Sequence, residues 1–331
     1  MRARALATAV LFSAAALAGA VPSWAAGGPQ PLLRLQDPAL LESSGLAVSA
    51  RHDGVLWTHA DGGSVAQVRA VDGRGRTVAV VTLDGIDPYD PEALAPGRIG
   101  GEPALFLGDI GDNSLLREDV SVFGLREPAT LSDRTVTPEW YRFRYPDGPH
   151  DAEALLVHPR TGRIFIATKD LSGAGLYRAP RRVVTADEGV NPLRRVGDVP
   201  SFVTDGAFLD DGRYVLRTYG SVYLYSGRRE PLARDALPPQ PQGESIAADG
   251  DRLLVGSEGE RSAVYAVPVP RAAEEDGEDV EASAAGARDD GARPGLLAPG
   301  VAPGLAIAAG LLLLVLTVLL LGPSRRRRPP R

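Results

Sequence analysis

Five residues recur at one repeated position of this chain: Ser44, Glu92, Glu153, Asp205 and Glu244. Each stands at the head of a short apolar run. If the runs are brought together, four carboxylates and a hydroxyl converge. Carboxylates so placed cannot all stay charged without compensation. Ca2+ is one solution, since it accepts six to eight oxygen ligands in flexible geometry. These five are therefore the candidate metal ligands. The competing reading is that each acid caps a turn in its own unit by accepting from backbone amides.

A second set of polar residues ends the run that follows each of these. His59 and Asp61, Asp109, Lys169 and Arg217 are the candidates for acid–base or charge-stabilising chemistry. Asp112, Asn113, Asp170, Tyr219 and Glu258 are candidates for holding a ligand. Lys169 is the single lysine among 36 basic residues, and a compact ammonium suits a phosphate or carboxylate. Gly108 to Asn113 (GDIGDN) offers oxygens on a tight turn, but lacks the twelve-residue pattern of an EF-hand loop. Turn Asp and Asn usually bond their own backbone. No G-x-S-x-G elbow, phosphate-binding P-loop or H-E-x-x-H motif is present.

The elements that must position these residues are written most plainly from Asp151 to Pro180. There Leu155 to Val157, Arg163 to Thr168 and Leu176 to Arg178 read as strands separated by Pro/Gly/Ser turns. Related sentences begin near Ser43, Pro91, Thr204 and Gly243, and the aligned positions differ by 48, 61, 52 and 39 residues. Four short strands per repeat of roughly 40–50 residues mark a β-propeller. A fourth strand follows the first four copies: Thr77 to Val81, Trp140 to Tyr145, Leu193 to Val196 and Pro231 to Ala236. The fifth copy has none, and Leu32 to Leu35 is a spare strand that would close the ring and remove two open edges. The expectation is one all-β, five-bladed propeller. Six blades remain open if Arg117 to Pro149 hides a degenerate unit. Innermost strands line the channel and second strands return antiparallel, so both sets of polar residues should share one face.

The ends read differently. Residues 1–25 have two early arginines, a small apolar run and Ser23-Trp24-Ala25, the pattern of a secretory signal peptide. The propeller is expected over 26–270. Residues 271–300 are acidic and poor in hydrophobic residues, as in a disordered stalk of about 30 Å root-mean-square span. Residues 301–323 carry an apolar run from Leu305 to Leu321, and the basic tail 324–331 follows. That order predicts a single-pass plasma-membrane helix with the propeller outside and the C-terminus cytoplasmic. The LPxTG motif of sortase substrates is missing. Absence of Cys excludes disulfides, thiolate zinc sites and cysteine nucleophiles, and a net charge of −6 gives no support for nucleic-acid binding.

ESSGLAVS, GDIGDN, DAEALLVHPRTGR, TDGAFLDDGR and GESIA resemble a group of exported actinobacterial propellers of unassigned function, related to proteins described as esterase-like or phytase-like. The resemblance spans about Leu33 to Pro270 and implies a propeller without an activity. More distantly, the chain is similar to calcium-dependent apyrases, five-bladed propellers whose central Ca2+ is held by Ser and Glu of the innermost strands. That resemblance implies Ca2+ on Ser44, Glu92, Glu153 and Glu244. Asp205 departs from it where Ser is expected, though Thr204 adjoins. Two functions are expected from this reading. One is a metal-stabilised binding or scaffolding module for a small molecule, glycan or surface protein. The other is a Ca2+-dependent hydrolase of phosphoesters or esters, with Asp109 or His59 as base and Lys169 or Arg217 beside the developing charge.

Overall fold

The computed structural model describes residues 30–271, and the expected signal peptide, most of the stalk, the membrane helix and the tail lie outside them. Among the described residues no helix is long and apolar enough to cross a membrane. In chain order the strands are β1 (Pro31–Arg34), β2 (Ser43–Val48), β3 (Leu56–Ala60), β4 (Gln67–Val71), β5 (Thr77–Leu83), β6 (Pro91–Ile99), β7 (Glu102–Asp109) and β8 (Val120–Arg126). They continue with β9 (Arg134–Val136), β10 (Glu139–Arg144), β11 (Ala152–Val157), β12 (Ile164–Thr168), β13 (Gly175–Arg178), β14 (Val190–Pro192) and β15 (Arg194–Asp198). The last are β16 (Val203–Phe208), β17 (Tyr214–Thr218), β18 (Ser221–Tyr225), β19 (Pro231–Ala236), β20 (Gly243–Asp249), β21 (Arg252–Ser257) and β22 (Ala263–Pro268).

These strands form five sheets, and the fold is a five-bladed, all-β propeller. From channel outward the blades are β2-β3-β4-β5, β6-β7-β8-β10, β11-β12-β13-β15, β16-β17-β18-β19 and β20-β21-β22-β1. The innermost strands β2, β6, β11, β16 and β20 touch one another in that cyclic order. The connection 117–149 holds no sixth blade. It supplies β10 of the second blade and β9, which adds to β5 in parallel as a fifth strand. β14 extends the second blade in the same way, pairing parallel with β10.

Burial explains why the inner strands read as continuous apolar runs. In a ring of blades both faces of an inner strand are covered, so alternation disappears. All six residues of β11 (AEALLV) are buried, whereas β19 at the rim (PLARDA) is almost wholly exposed. The core comprises five clusters, one between each pair of neighbouring blades. Close approach there requires a missing side chain at Gly45. A methyl group at that position would lie 2.5 Å from Leu94 N and 2.7 Å from a His59 ring carbon.

Candidate functional site

All five innermost strands break register at the same level. β2 slips between Ser43 and Gly45, β6 between Pro91 and Ala93, β11 between Ala152 and Ala154, β16 between Val203 and Asp205, and β20 between Gly243 and Ile246. A bulge leaves its extra residue unpaired and re-aims its side chain. The bulged positions are thus Ser44, Glu92, Glu153, Thr204 and the Glu244–Ser245 pair. Asp205, expected at the ring, is displaced by one: it pairs with Arg217 in the ladder, and Thr204 takes the ring position. Its carboxylate oxygens accept from Gly206 N and Ile246 N, each at 2.7 Å. Asp205 therefore joins two blades through backbone amides.

Two of the three ring hydroxyls act alike, while Ser245 Oγ is buried without a partner. Ser44 Oγ donates to Glu92 O of the next blade at 3.0 Å and reaches Glu92 Oε2 at 3.3 Å. Thr204 Oγ1 donates to Gly243 O at 3.2 Å. The charged centre is Lys169, which follows β12 and whose backbone N donates to Asp151 O at 2.9 Å. Its ammonium is hydrogen-bonded and ion-paired to Glu153 Oε1 and sits 5.3 Å over the Tyr219 ring. Burial alone would depress this ammonium, but the contact with Glu153 holds it above the ordinary lysine range.

One ammonium does not neutralise its surroundings. Burial, then the charges of Glu153, Asp90 and Asp61, push Glu92 up to about 10. Burial, then Glu244, Asp61 and Glu42, push Glu258 up to about 8. Asp61 rises to about 6 through burial and the Glu42 charge, and its Oδ1 is buried without a partner. Burial raises Glu153 and Glu244 as well, with Lys169 opposing. Glu42, Asp90 and Asp151 belong to this mouth but were not among the aligned acids. Each lies two residues before a ring position but ahead of the strand itself, Glu42 before β2, Asp90 before β6 and Asp151 before β11, so strand periodicity does not mark it.

The remaining candidates fall into structural roles. Asp109 accepts from Tyr89 N, Asp90 N and the Arg117 guanidinium at 2.8–3.1 Å. Asp112 accepts from the amides of Leu116 and Arg117, and Asn113 Nδ2 reaches Asp90 Oδ2 at 3.4 Å. The GDIGDN run is therefore a turn whose polar side chains bond neighbouring loop backbone and side chains, and the Asp109 carboxylate is engaged by two amides and a guanidinium. Asp170 accepts from Thr168 Oγ1 at 2.7 Å and faces His150 Nδ1 at 3.4 Å. Arg217 is fully buried, with guanidinium bonds to Ser245 O, Gly256 O and Gln240 Oε1, so it clamps two blades and cannot reach a ligand. His59 is also buried. Burial depresses it to about 4, its Nε2 bonds Pro91 O at 3.2 Å, and its Nδ1 is buried without a partner. A base sealed in this way has no route to substrate.

A central Ca2+ does not fit these residues. The ammonium of Lys169 already stands on Glu153, the Asp205 oxygens hold amides, and the Ser44 and Thr204 hydroxyls point at carbonyls. Among the described residues no three His, Asp or Glu side chains gather to hold one ion. At the opposite end of the channel lies a separate cavity of about 370 Å³, with Val48, Ala95, Leu155, Leu156, Phe208 and Ala248 in its wall. None of the expected site residues lines it.

The class defined by fold and site is a five-bladed propeller with an acidic channel mouth. No family model matches the chain, and no curated protein matches it. It is similar in fold to a luciferin-regenerating enzyme (14% identity, 69% of this chain and 78% of that chain, TM-score 0.45). It is also similar to a gluconolactonase from Xanthomonas campestris (14% identity, 69% and 72%, TM-score 0.43). A third is the PQQ-bound aldose sugar dehydrogenase from Streptomyces coelicolor (9% identity, 72% and 96%, TM-score 0.40). At these identities the likeness is one of fold alone.

Proposed function

We propose that this protein is an exported, membrane-tethered binding module whose acidic channel mouth receives an organic cation, an amine or guanidinium. The observation that carries the reading is the unpartnered, buried Oδ1 of Asp61 beside carboxylates that Lys169 alone does not neutralise. A buried acceptor without a donor costs free energy. Carboxylates held at about 6 and about 8 cost more as they ionise. A ligand bringing N–H donors and a positive charge relieves both. Lys169 acts as the resident cation that keeps the empty mouth folded, in the place the sequence suggested for a metal. Export and tethering rest on the sequence pattern at 1–25 and 301–331.

Calorimetric titration with arginine amide, and with citrulline amide as its neutral isostere, tests this. Binding of the first and not the second is expected at pH 8. Equal binding of both, or of neither, contradicts the reading.

A second reading, hydrolysis of an ester or phosphoester on the same face, is favoured by Asp61 alone. Its raised pKa of about 6 suits a general base, and Lys169 would steady the developing charge. Turnover of 4-nitrophenyl acetate or phosphate that disappears in Asp61→Asn would establish it; no turnover above the Asp61→Asn background removes it.

A further inference from the structure

The acidic mouth is surrounded by apolar side chains that the fold holds in solvent. The loops on this end join second to third strands and each outer strand to the next blade. They present Val65, Tyr89, Leu115, Leu116, Leu171 and Phe202, all exposed, in addition to Tyr219. Leu116 and Leu171 are 76% and 75% exposed, the most solvent-facing large hydrophobic residues among those described. Of the other exposed hydrophobics, Leu32, Val78, Trp140 and Leu232 are scattered on outer strands, Val184 lies in the loop before β14, and Leu41 lies in the turn before β2. Single exposed apolar residues need no explanation, but a set on one face rimming a functional mouth does.

Two of the six are held there against backbone preference. Leu115 has φ +52° and Phe202 φ +59°, the left-handed region that costs a β-carbon-bearing residue roughly 1–2 kcal/mol. Both residues stay about half exposed. The loops are nevertheless tied down: Ser201 Oγ donates to Leu171 O at 2.9 Å, and Leu115 N donates to Asp112 O at 2.8 Å. Fixed, exposed apolar residues around a charged centre match the anatomy of a protein interface, in which apolar anchors exclude water around a desolvated ion pair.

We infer that this end of the propeller docks a protein surface that presents an arginine or lysine to the carboxylates, with apolar residues around it to meet Leu116, Leu171 and Phe202. The inference rests on the reading of the mouth as a cation site and adds the source of the cation. Charge complementarity commits it to a protein. A bilayer would bring hydrocarbon and anionic headgroups against a mouth lined by carboxyl groups, which suits neither. A free amine would leave the rim unused.

The test uses the full-length chain and three probes. The first is arginine amide. The second and third are blocked pentapeptides with central arginine, one flanked by leucine and phenylalanine, the other by serine. The apolar-flanked peptide is expected to bind about tenfold more tightly than the serine-flanked one. That advantage should vanish in Leu116→Ser/Leu171→Ser, whose exposed positions leave folding intact, while arginine amide binds the variant unchanged. Equal affinity of the two peptides for the native chain overturns the protein interface and leaves the cation site standing. Failure of arginine amide to bind overturns the cation site itself. Phosphatidylcholine vesicles that bind the native chain and lose the same tenfold in the double variant would replace the protein partner by a membrane.

Discussion

The ammonium of Lys169 is ion-paired to Glu153 on the innermost strand and lies 5.3 Å over the ring of Tyr219. Three blades' worth of the channel mouth is arranged around this contact, because Glu92 and Glu244, on the inner strands of two further blades, also feel the same charge. Removing one partner of a buried pair is far costlier than removing both, since the survivor is left charged and desolvated. Lys169→Met should therefore lower stability by about 3–5 kcal/mol. The double variant Lys169→Met/Glu153→Gln should recover most of that loss. Urea unfolding of the two variants checks the prediction.

The same substitution vacates the position of the resident cation. With Lys169 gone Glu153 loses its partner, but among the described residues no further pair of His, Asp or Glu gathers with it to hold an ion, so neither the native chain nor Lys169→Met should be stabilised by Ca2+ in thermal unfolding. A native chain stabilised by millimolar Ca2+ and destabilised by chelator would restore the metal scheme.

The pH dependence has a definite sign. Glu258 is raised from 4.5 to about 8 and Asp61 from 3.8 to about 6. A carboxyl raised on folding binds more protons in the folded than in the unfolded state between those two values, so stability falls as pH rises through them. The melting temperature should be higher at pH 5 than at pH 8.5. Glu258→Gln should flatten the part of the slope between about pH 6 and 8, because it keeps the neutral form at every pH.

Arg217 illustrates how far from the surface a charged residue can be put to use. Its bonds to Ser245 O, Gly256 O and Gln240 Oε1 fill the seam between the fourth and fifth blades. Arg217→Met leaves these acceptors unpaired at about 1–3 kcal/mol each, so the variant should be severely destabilised. Cation binding by any folded fraction should be retained, and a variant that folds normally would contradict the structural role.

Much of the architecture was legible. Five copies of a strand–turn–strand sentence, with fourth strands between them, gave the five blades because each blade must solve the same packing problem. The ring position was legible in four copies and misread in one. Matching an acid to an acid placed Asp205 where the bulge puts Thr204, and a one-residue slip moves a side chain to the other face of a strand. Burial of His59 and Arg217 could not be read either. LWTHA and YVLRT carry His59 and Arg217 as their next-to-last residues, but β3 and β17 lie between two other strands and between two blades, so these positions are covered and only the final residue of each strand is partly exposed. Lys169 stood out as the lone lysine, yet only the fold reveals Glu153 as its partner.

The most direct test of the account is the affinity of arginine amide for the native chain and for Glu244→Gln/Glu258→Gln at pH 8, with citrulline amide alongside. The account predicts charge-dependent binding by the native chain that falls about tenfold or more in the double variant, since charge-assisted hydrogen bonds contribute about 1.5–3 kcal/mol each. Undiminished binding in the double variant would contradict it, because the cation would then be held somewhere other than the channel mouth.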